Sequence, residues 1–254
     1  MLERIQVSPA LSERFPGFRL NVVFASGLQN RPSNAESREW LRSGAERGIA
    51  RLQGRSPKEY PSLKSWRDTY SAFGAKPSAY PCSAEALIQR ALKNGSTSLP
   101  SINLLVDAYN AVSLAHLLPV GGEDLDRIVG RCELRSAGPD DRGAQGEDVS
   151  NTPYPGEVIW ADDVGWTCRR WNWRQGMRTR LTEATRNAFF LIEGMASATY
   201  EPDMTAAATE LSDLIRDSLR PERLEQVQII GPGVRYPMPF PGFANGIKLP
   251  PPVS

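Results

Sequence analysis

Three polar side chains stand at regular spacing in an otherwise apolar stretch, and they are the first residues in the chain that could do chemistry. Residues 103–119 read NLLVDAYNAVSLAHLLP, with Asn103, Asp107 and Asn110 at positions i, i+4 and i+7 of a helix. A helix that is apolar on most of its faces is buried, and a buried polar group without a partner costs about 1–3 kcal/mol. The three side chains therefore either brace neighbouring backbone or face a pocket.

A second stretch, residues 164–182, combines positive charge with large aromatic rings. It reads VGWTCRRWNWRQGMRTRLT and contains no acidic residue. Its arginines and tryptophans are Arg169, Arg170, Arg174, Arg178, Arg180, Trp166, Trp171 and Trp173. Arginines contact phosphates and aromatic rings stack on unpaired bases, so the composition is typical of a surface that binds a single-stranded nucleic-acid end.

The alternative for this stretch is a structural strand. If residues 164–174 form one strand, its two faces carry Arg170, Asn172 and Arg174 on one side, and Arg169, Trp171 and Trp173 on the other. The tryptophans would then belong to the core. The arginines would pair with nearby acids, namely Glu157, Asp162 and Asp163, because stacked and paired arginines are also common structural contacts.

Other catalytic groups are few. His116 is the only histidine, and on the helix it lies roughly opposite the polar line, which predicts a core or boundary residue. Cys82, Cys132 and Cys168 stand far apart and form no metal-ligand spacing, so we expect no structural metal, no disulfide and no cofactor. The sequence contains no P-loop, GxGxxG, HExxH or GxSxG motif.

Length and composition indicate a folded chain with a sizeable core. The chain has 254 residues, 40% of them hydrophobic, and a formal net charge of +1. A net charge of +1 excludes a protein that is basic over its whole surface, so any binding of a nucleic acid needs a local patch of positive charge. We find neither a long apolar run nor a signal peptide, and we expect a soluble cytoplasmic protein without a membrane partner.

The order of the predicted elements favours an α+β fold over a doubly wound sheet. Strands are predicted over residues 1–7, 18–26, 131–136, 156–162, 164–174 and 227–230, and a strand or the start of a helix over 187–193. Helices are predicted over residues 34–52, 62–73, 83–94 and 203–220, besides the buried segment 103–119. Residues 119–122 are predicted to stop that helix, 123–130 to form a connector and 137–155 a polar loop. A single domain over 1–230 is expected, followed by a Pro/Gly-rich tail over 231–254 with little regular structure.

An ordered series of short motifs resembles the B3/B4 domain of the phenylalanyl-tRNA synthetase β subunit, and most closely the freestanding B3/B4 proteins. The similarity is clearest over residues 60–195. The family pattern has a VD..N helix, a proline stop, an acidic connector with I.G, a strand ending near R.A, an AD hairpin and a T.N segment before a hydrophobic strand. The matching residues are Val106, Asp107, Asn110, Pro119, Asp124, Ile128, Gly130, Arg135, Ala137, Ala161, Asp162, Thr185 and Asn187.

This resemblance implies a mixed sheet with packed helices and an editing activity. In the synthetase the domain hydrolyses the ester of a wrongly charged tRNA, by placing the 3′ ester and a water without a covalent protein nucleophile. Asn110 matches the helix asparagine on the pocket side. The implied partner of this chain is the 3′ aminoacylated end of a tRNA.

Two departures from the family pattern fall in the implied pocket. The family segment PLHAFD, whose histidine lies in the editing site, reads PVGGED here, so Gly121 stands in place of that histidine. The family stretch GIMGGE is replaced by NWRQGM at residues 172–177. The groups that read the amino-acid side chain are therefore altered, and an aminoacyl group other than tyrosine is expected.

The predicted site has three parts. The catalytic residues are Asn110, Asn172 and Arg170; the substrate pocket is formed by Asp107, Gly121, Gly122, Arg135 and Thr185; and the tRNA contacts are made by Arg169, Trp171, Trp173, Arg174, Arg178 and Arg180. The leading hypothesis is a trans-acting aminoacyl-tRNA deacylase. The alternatives are a non-catalytic module that binds tRNA or an amino acid, and a stable domain with neither activity.

Overall fold

The architecture is described from a computed structural model that covers residues 2–141, 152–229 and 235–237. The helices are α1 Pro9–Arg14, α2 Ala35–Leu52, α3 Pro61–Ala72, α4 Ser83–Asn94, α5 Leu104–His116 and α6 Met204–Leu219. The strands are β1 Leu2–Val7, β2 Phe18–Ser26, β3 Val120–Asp124, β4 Gly130–Ser136, β5 Val158–Ala161, β6 Trp166–Arg169, β7 Arg174–Gln175, β8 Ala188–Met195, β9 Arg223–Ile229 and β10 Arg235–Pro237.

The strands form two sheets. One has the order β10-β1-β4-β5-β6-β7, with β1 and β4 parallel and its other neighbours antiparallel. The other has the order β3-β8-β2-β9 and is antiparallel throughout. All eight residues of β8 are buried, because both faces of this second sheet are covered. One face packs against α5 and α6, and the opposite face packs into the core that it shares with the first sheet. The predicted α+β class is confirmed.

Helix ends follow local capping chemistry. The side chains of Asn34, Asn103 and Asp203 each accept a hydrogen bond from a backbone N–H in the first turn of α2, α5 and α6. Helix α5 ends where Leu117 adopts a left-handed φ of 52°. The buried helix predicted over 103–119 is therefore three residues shorter at its end, and the chain turns at once into the next strand.

The structure corrects two of the predicted elements. The predicted stop and connector contain strand β3, in which Gly121 pairs with Leu191 and Glu123 with Phe189 of β8. This strand was not predicted because it contains two adjacent glycines, and glycine has a low strand propensity. The single strand predicted over 164–174 is broken at Arg170, so the two faces predicted for it do not exist.

Two further segments bear on the predicted loop and tail. Most of the polar loop predicted over 137–155 and most of the tail predicted over 231–254 lie outside the described residues. Within that tail, Arg235–Pro237 pairs antiparallel with β1, which the composition did not indicate.

Helices α2 and α5 approach each other closely because α2 carries glycines where they meet. A Cβ atom added at Gly44 would lie 2.4 Å from the carbonyl oxygen of Ala111, and one added at Gly48 would lie 2.3 Å from that of Leu114. Such distances are below van der Waals contact, so the backbones could not keep this spacing with any larger residue.

We expect Gly44→Ala to lower the free energy of unfolding by about 1–3 kcal/mol, because the added methyl group overpacks the helix contact. Helix propensity alone would act in the opposite direction, since alanine is favoured over glycine by about 1 kcal/mol. Ala50→Gly, on the exposed face of α2, measures that propensity by itself. Urea denaturation of the three proteins provides the test, and a more stable Gly44→Ala protein would contradict the packing argument.

Candidate active site

A cavity of about 310 Å³ lies between the two sheets, with α4 and α5 closing its sides. Trp160 of β5 and Cys168 of β6 line it from the first sheet. Leu191 of β8 and Gly121 of β3 line it from the second sheet, where alternation along paired strands puts them on the same face. The cavity therefore lies where the two sheets and two helices meet.

A buried carboxylate, Glu193, forms part of the cavity wall. It is 2% exposed, and its oxygens accept hydrogen bonds from Trp160 Nε1 at 2.9 Å and from Asn172 Nδ2 at 2.8 Å. Burial raises the pKa of Glu193 to about 7, because the charged form loses water, while these two donors limit the rise. A carboxyl group with a pKa near neutrality in a cavity is the type of group that serves as a general base.

A second buried carboxylate, Glu123, lines the same cavity from β3. It is 4% exposed and accepts a hydrogen bond from Gln175 Nε2 at 2.8 Å. Burial raises the pKa of Glu123 to about 8, and the neighbouring Thr179, Gln175 and Thr167 side chains limit the rise. Glu123 takes the place of the phenylalanine in the family segment PLHAFD, so it belongs to the altered part of the pocket.

The predicted polar line of α5 divides into two structural residues and one cavity residue. Asn103 caps the helix and bonds Asn30. Asp107 is fully buried and accepts hydrogen bonds from Ser37 Oγ at 2.7 Å, Ser101 Oγ at 2.8 Å and Ile102 N–H at 2.9 Å. It does not line the cavity; it braces the start of the helix and the segment before it.

Asn110 is the member of that line that faces the cavity. It is half-buried and lines the cavity beside Tyr109. Among the residues that the structure describes, its amide has no hydrogen-bond partner, so both the oxygen and the nitrogen are available to a ligand.

Asn172 lines the cavity, but its amide is engaged within the protein. Its Oδ1 accepts from Tyr70 Oη at 2.8 Å, while its Nδ2 donates to Glu193. Its backbone carbonyl accepts from Ser83 N–H at the start of α4. We therefore assign Asn172 to positioning Glu193 rather than to donating directly to substrate.

Arg170 acts on the cavity through a neighbour. Its guanidinium lies 3.8 Å from the ring centre of Tyr80 and 4.4 Å from that of Trp173, and only Trp173 lines the cavity. Arg170 itself does not line the cavity, and its contacts hold an aromatic wall of the cavity in position.

Much of the predicted tRNA-binding stretch is structural. Trp171 has no exposed surface and packs edge-on against Phe15, Phe18 and Trp66. Arg169 is 5% exposed and forms a two-point ion pair with Glu157. Neither residue is accessible to a nucleic acid.

The remaining arginines of the stretch lie nearer to solvent. Arg178 pairs with Asp162 at 2.7 Å, which agrees with the structural alternative. Arg174 and Arg180 are exposed. Arg174 stacks near Trp173, and Arg180 contacts the sulfur of Met177.

Of four other residues predicted for the substrate pocket, two line the cavity and two do not. Arg135 forms a two-point pair with Asp141, and Thr185 donates to Asp124 at 2.7 Å; neither residue lines the cavity. Gly121 and Gly122 do line it. A Cβ atom at Gly121 would meet nothing within 4 Å, so this glycine leaves open space in the cavity.

Among the described residues, no base is hydrogen-bonded to the nucleophilic side chains of the cavity, Cys168 and Ser83. Burial raises the pKa of the Cys168 thiol well above its usual range, which disfavours the thiolate. The hydroxyl of Ser83 has no hydrogen-bond partner within the described residues. His116 lies elsewhere and bonds Glu210 at 2.8 Å, which agrees with its prediction as a boundary residue.

The described residues contain neither a group of metal ligands nor a membrane-spanning helix. Within residues 2–141 and 152–229 no three His, Cys, Asp or Glu side chains are grouped as metal ligands would be. None of the helices in the described part of the chain is long and apolar enough to cross a membrane.

Sequence comparison agrees with this arrangement of an α+β fold around a cavity. The B3/4 domain family matches residues 65–226, which is more than half of the chain. The chain therefore belongs to the B3/4 domain family, a tRNA-associated family related to the β subunit of phenylalanyl-tRNA synthetase. No curated protein matched the chain.

Sequence reasoning missed the two cavity carboxylates. The available signals were an acid at the end of the apolar run AFFLIE and a second acid in PVGGED. An acid inside an otherwise apolar strand is a candidate for a buried functional group. Placing both acids in one cavity, however, required the pairing of β3 with β8.

We expect Glu193→Gln to change the pH dependence of stability. The folded state holds the Glu193 proton up to a pKa of about 7, above the ordinary value of 4.5, so its contribution is complete at low pH and is lost as pH rises through 7. The stability of the variant relative to the wild type should therefore increase from pH 5 to pH 8. Urea denaturation across this range measures it, with the exposed Glu13→Gln as the control. A constant difference would contradict the shifted pKa.

Proposed function

We propose that this protein is a trans-acting aminoacyl-tRNA deacylase, which hydrolyses the ester between an amino acid and the 3′ end of a mischarged tRNA. The observation that carries the proposal is the cavity, which is lined both by the amide of Asn110, without a hydrogen bond to any described residue, and by the carboxylate of Glu193. Family membership supplies the class of substrate.

The chemistry requires a water and a place for negative charge. In the proposed reaction, Glu193 accepts a proton from a water that attacks the ester carbonyl carbon. The amide of Asn110 donates to the carbonyl oxygen as charge develops on it. The bond to the ribose oxygen then breaks, and the proton passes to that leaving hydroxyl. No covalent enzyme intermediate is needed, in agreement with the inactive environments of Cys168 and Ser83.

A groove beside the cavity offers space for the nucleotide part of the substrate. Tyr109 and Gln175 line both the cavity and this groove, which continues past Ile102 to Arg180. Arg174 and Arg180 are exposed on the same stretch of chain. Positive charge outside the cavity suits the phosphates of a terminal nucleotide, because phosphate contacts dominate nucleic-acid affinity.

One observation favours a second candidate, a non-catalytic module that binds a small amino-acid ligand. Arg169 and Arg178, two of the six predicted tRNA contacts, are committed to Glu157 and Asp162. The surface left for a nucleic acid is therefore smaller than the sequence predicted. Single-turnover hydrolysis of a panel of mischarged tRNAs separates the two candidates, because the binding module would release no amino acid.

We expect Asn110→Ala to slow single-turnover deacylation by about 10²–10³-fold, the usual effect of removing one donor to a developing oxyanion. The protein should remain folded, because the amide bonds nothing in the described structure. Asn94→Ala, an exposed asparagine at the end of α4, is the matched control. Full activity in a folded Asn110→Ala protein would remove this residue from the site.

We expect the double charge reversal Arg174→Glu and Arg180→Glu to weaken tRNA binding and to reduce the salt slope by about one unit per lost phosphate contact. Arg178 is unsuited to the test, because reversing it would also break its pair with Asp162. Arg55→Glu, an exposed arginine between α2 and α3, is the control. If tRNA affinity and its salt dependence are unchanged in the double variant, the stretch does not contact tRNA and its role is structural.

A further inference from the structure

The two cavity carboxylates pair with no arginine, in contrast to three other buried acids. Glu85, Glu157 and Asp162 are buried and each pairs with an arginine. Within the described residues, neither Glu123 nor Glu193 has a cation within 4 Å. A buried carboxylate without a counter-ion is costly: it is satisfied by several donors, as Asp107 is by three, or it keeps its proton, or it binds a cation from outside the protein.

We propose that the cavity accepts an acyl group with a linear, positively charged side chain, and that Glu123 is its counter-ion. This inference rests on the proposed function and names the substrate class of the same site. It assigns different roles to the two acids: Glu193 acts on the ester, whereas Glu123 selects the side chain.

The placement of the two acids supports this division. Glu123 pairs with Phe189 across the sheet, and Glu193 lies four residues further along β8 on the same face. Four residues of a strand span about 13 Å, so the two backbone positions lie at opposite ends of the cavity wall. An amino acid bound between them would present its ester near one end and the tip of its side chain near the other.

The space beside Glu123 suits an extended chain. Gly121 lies two residues before Glu123 on the same face, and no atom lies within 4 Å of where its Cβ would be. Tyr109 and Trp173 are among the aromatic residues of the lining. Aromatic rings pack against methylene groups and attract ammonium groups, so they favour a cationic chain over a merely apolar one.

Arg90 does not already fill the role of counter-ion. It lines the cavity from α4 but is exposed, and it forms no ion pair with either acid in the described part of the chain. Positive charge thus lies at the exposed edge and negative charge inside. That arrangement suits a substrate with phosphates at one end and an ammonium group at the other.

The titration of Glu123 gives the binding a pH dependence. Burial raises the pKa of Glu123 to about 8, and a bound ammonium would stabilise the carboxylate and release the proton. The titratable groups around it are Glu193, Tyr109, Cys132, Cys168 and Arg178. Burial raises the pKa values of Tyr109 and the two cysteines further above neutrality, so these groups stay uncharged between pH 6 and pH 8. Affinity for a cationic ligand should therefore rise between pH 6 and pH 8.

The test compares L-lysinamide with L-norleucinamide, which share an α-amino group and a four-carbon side chain but differ in the terminal ammonium. Calorimetry on the wild-type protein at pH 8 should show lysinamide binding at least tenfold more tightly. Glu123→Gln should reduce that ratio to less than threefold, and Glu13→Gln, exposed on α1, should not change it. Equal binding of the two amides to the wild type, or tighter binding of L-tyrosinamide, would overturn the inference whether or not the variant folds.

Hydrolysis of lysyl and norleucyl esters on the same RNA minihelix separates this inference from the proposed function. Faster hydrolysis of the lysyl ester supports both. Equal rates keep the deacylase and overturn the selection by Glu123. Selective binding of lysinamide without hydrolysis of either ester keeps the cationic pocket and rejects the deacylase.

Discussion

The hydrogen bonds that hold Glu193 are the interaction on which the rest of the site depends. This carboxylate belongs to the four-stranded sheet, whereas one of its donors, Trp160, belongs to the other sheet. Asn172 supplies the second donor and is itself fixed by Tyr70 of α3. Burying a carboxylate costs several kcal/mol unless donors replace water, so the sheets must keep the spacing that satisfies it. The cavity forms at this spacing.

Two residues in an unusual backbone conformation make this arrangement possible. Arg170 and Trp171 have φ angles of 45° and 65°, in the left-handed region that costs a non-glycine residue about 1–2 kcal/mol. The bend ends β6 and directs Trp171 into a cluster of aromatic rings, while Arg170 stacks on Tyr80 and Trp173. Full burial of a tryptophan side chain offsets a penalty of that size. Asn172 follows directly and reaches Glu193.

Charge in this protein has to be interpreted by location. A stretch with five arginines and no acid predicts a surface that binds nucleic acid. In the structure, however, Arg169 pairs with Glu157 and Arg178 pairs with Asp162, both acids from neighbouring segments. Inside the cavity the balance is reversed, because among the described residues neither Glu123 nor Glu193 pairs with an arginine. A substrate that carries phosphates and an amino acid would meet opposite charges at its two ends, and such complementarity gives specificity more than affinity.

The sequence by itself determined the fold class, most element positions and the family. Strand β2 and helices α2, α3, α4 and α6 lie within about a residue of their predicted bounds, because hydrophobic periodicity and capping residues such as Asn34 act locally. The buried character of α5 also followed from its apolar composition, whereas the spacing of its polar residues left open whether they brace backbone or face a pocket.

Only the tertiary structure decided which polar residues meet. Asp107 and Asn110 look equivalent in sequence, but Ser37 and Ser101 bond the first and leave the second open to the cavity. Glu123 and Glu193 are separated by 69 intervening residues in the sequence, and the pairing of β3 with β8 brings them to one face of a sheet. Long-range pairing sets burial, and burial sets both pKa values and available partners. These contacts cannot be predicted from a local sequence pattern, so the chemistry of the site is defined only in the folded chain.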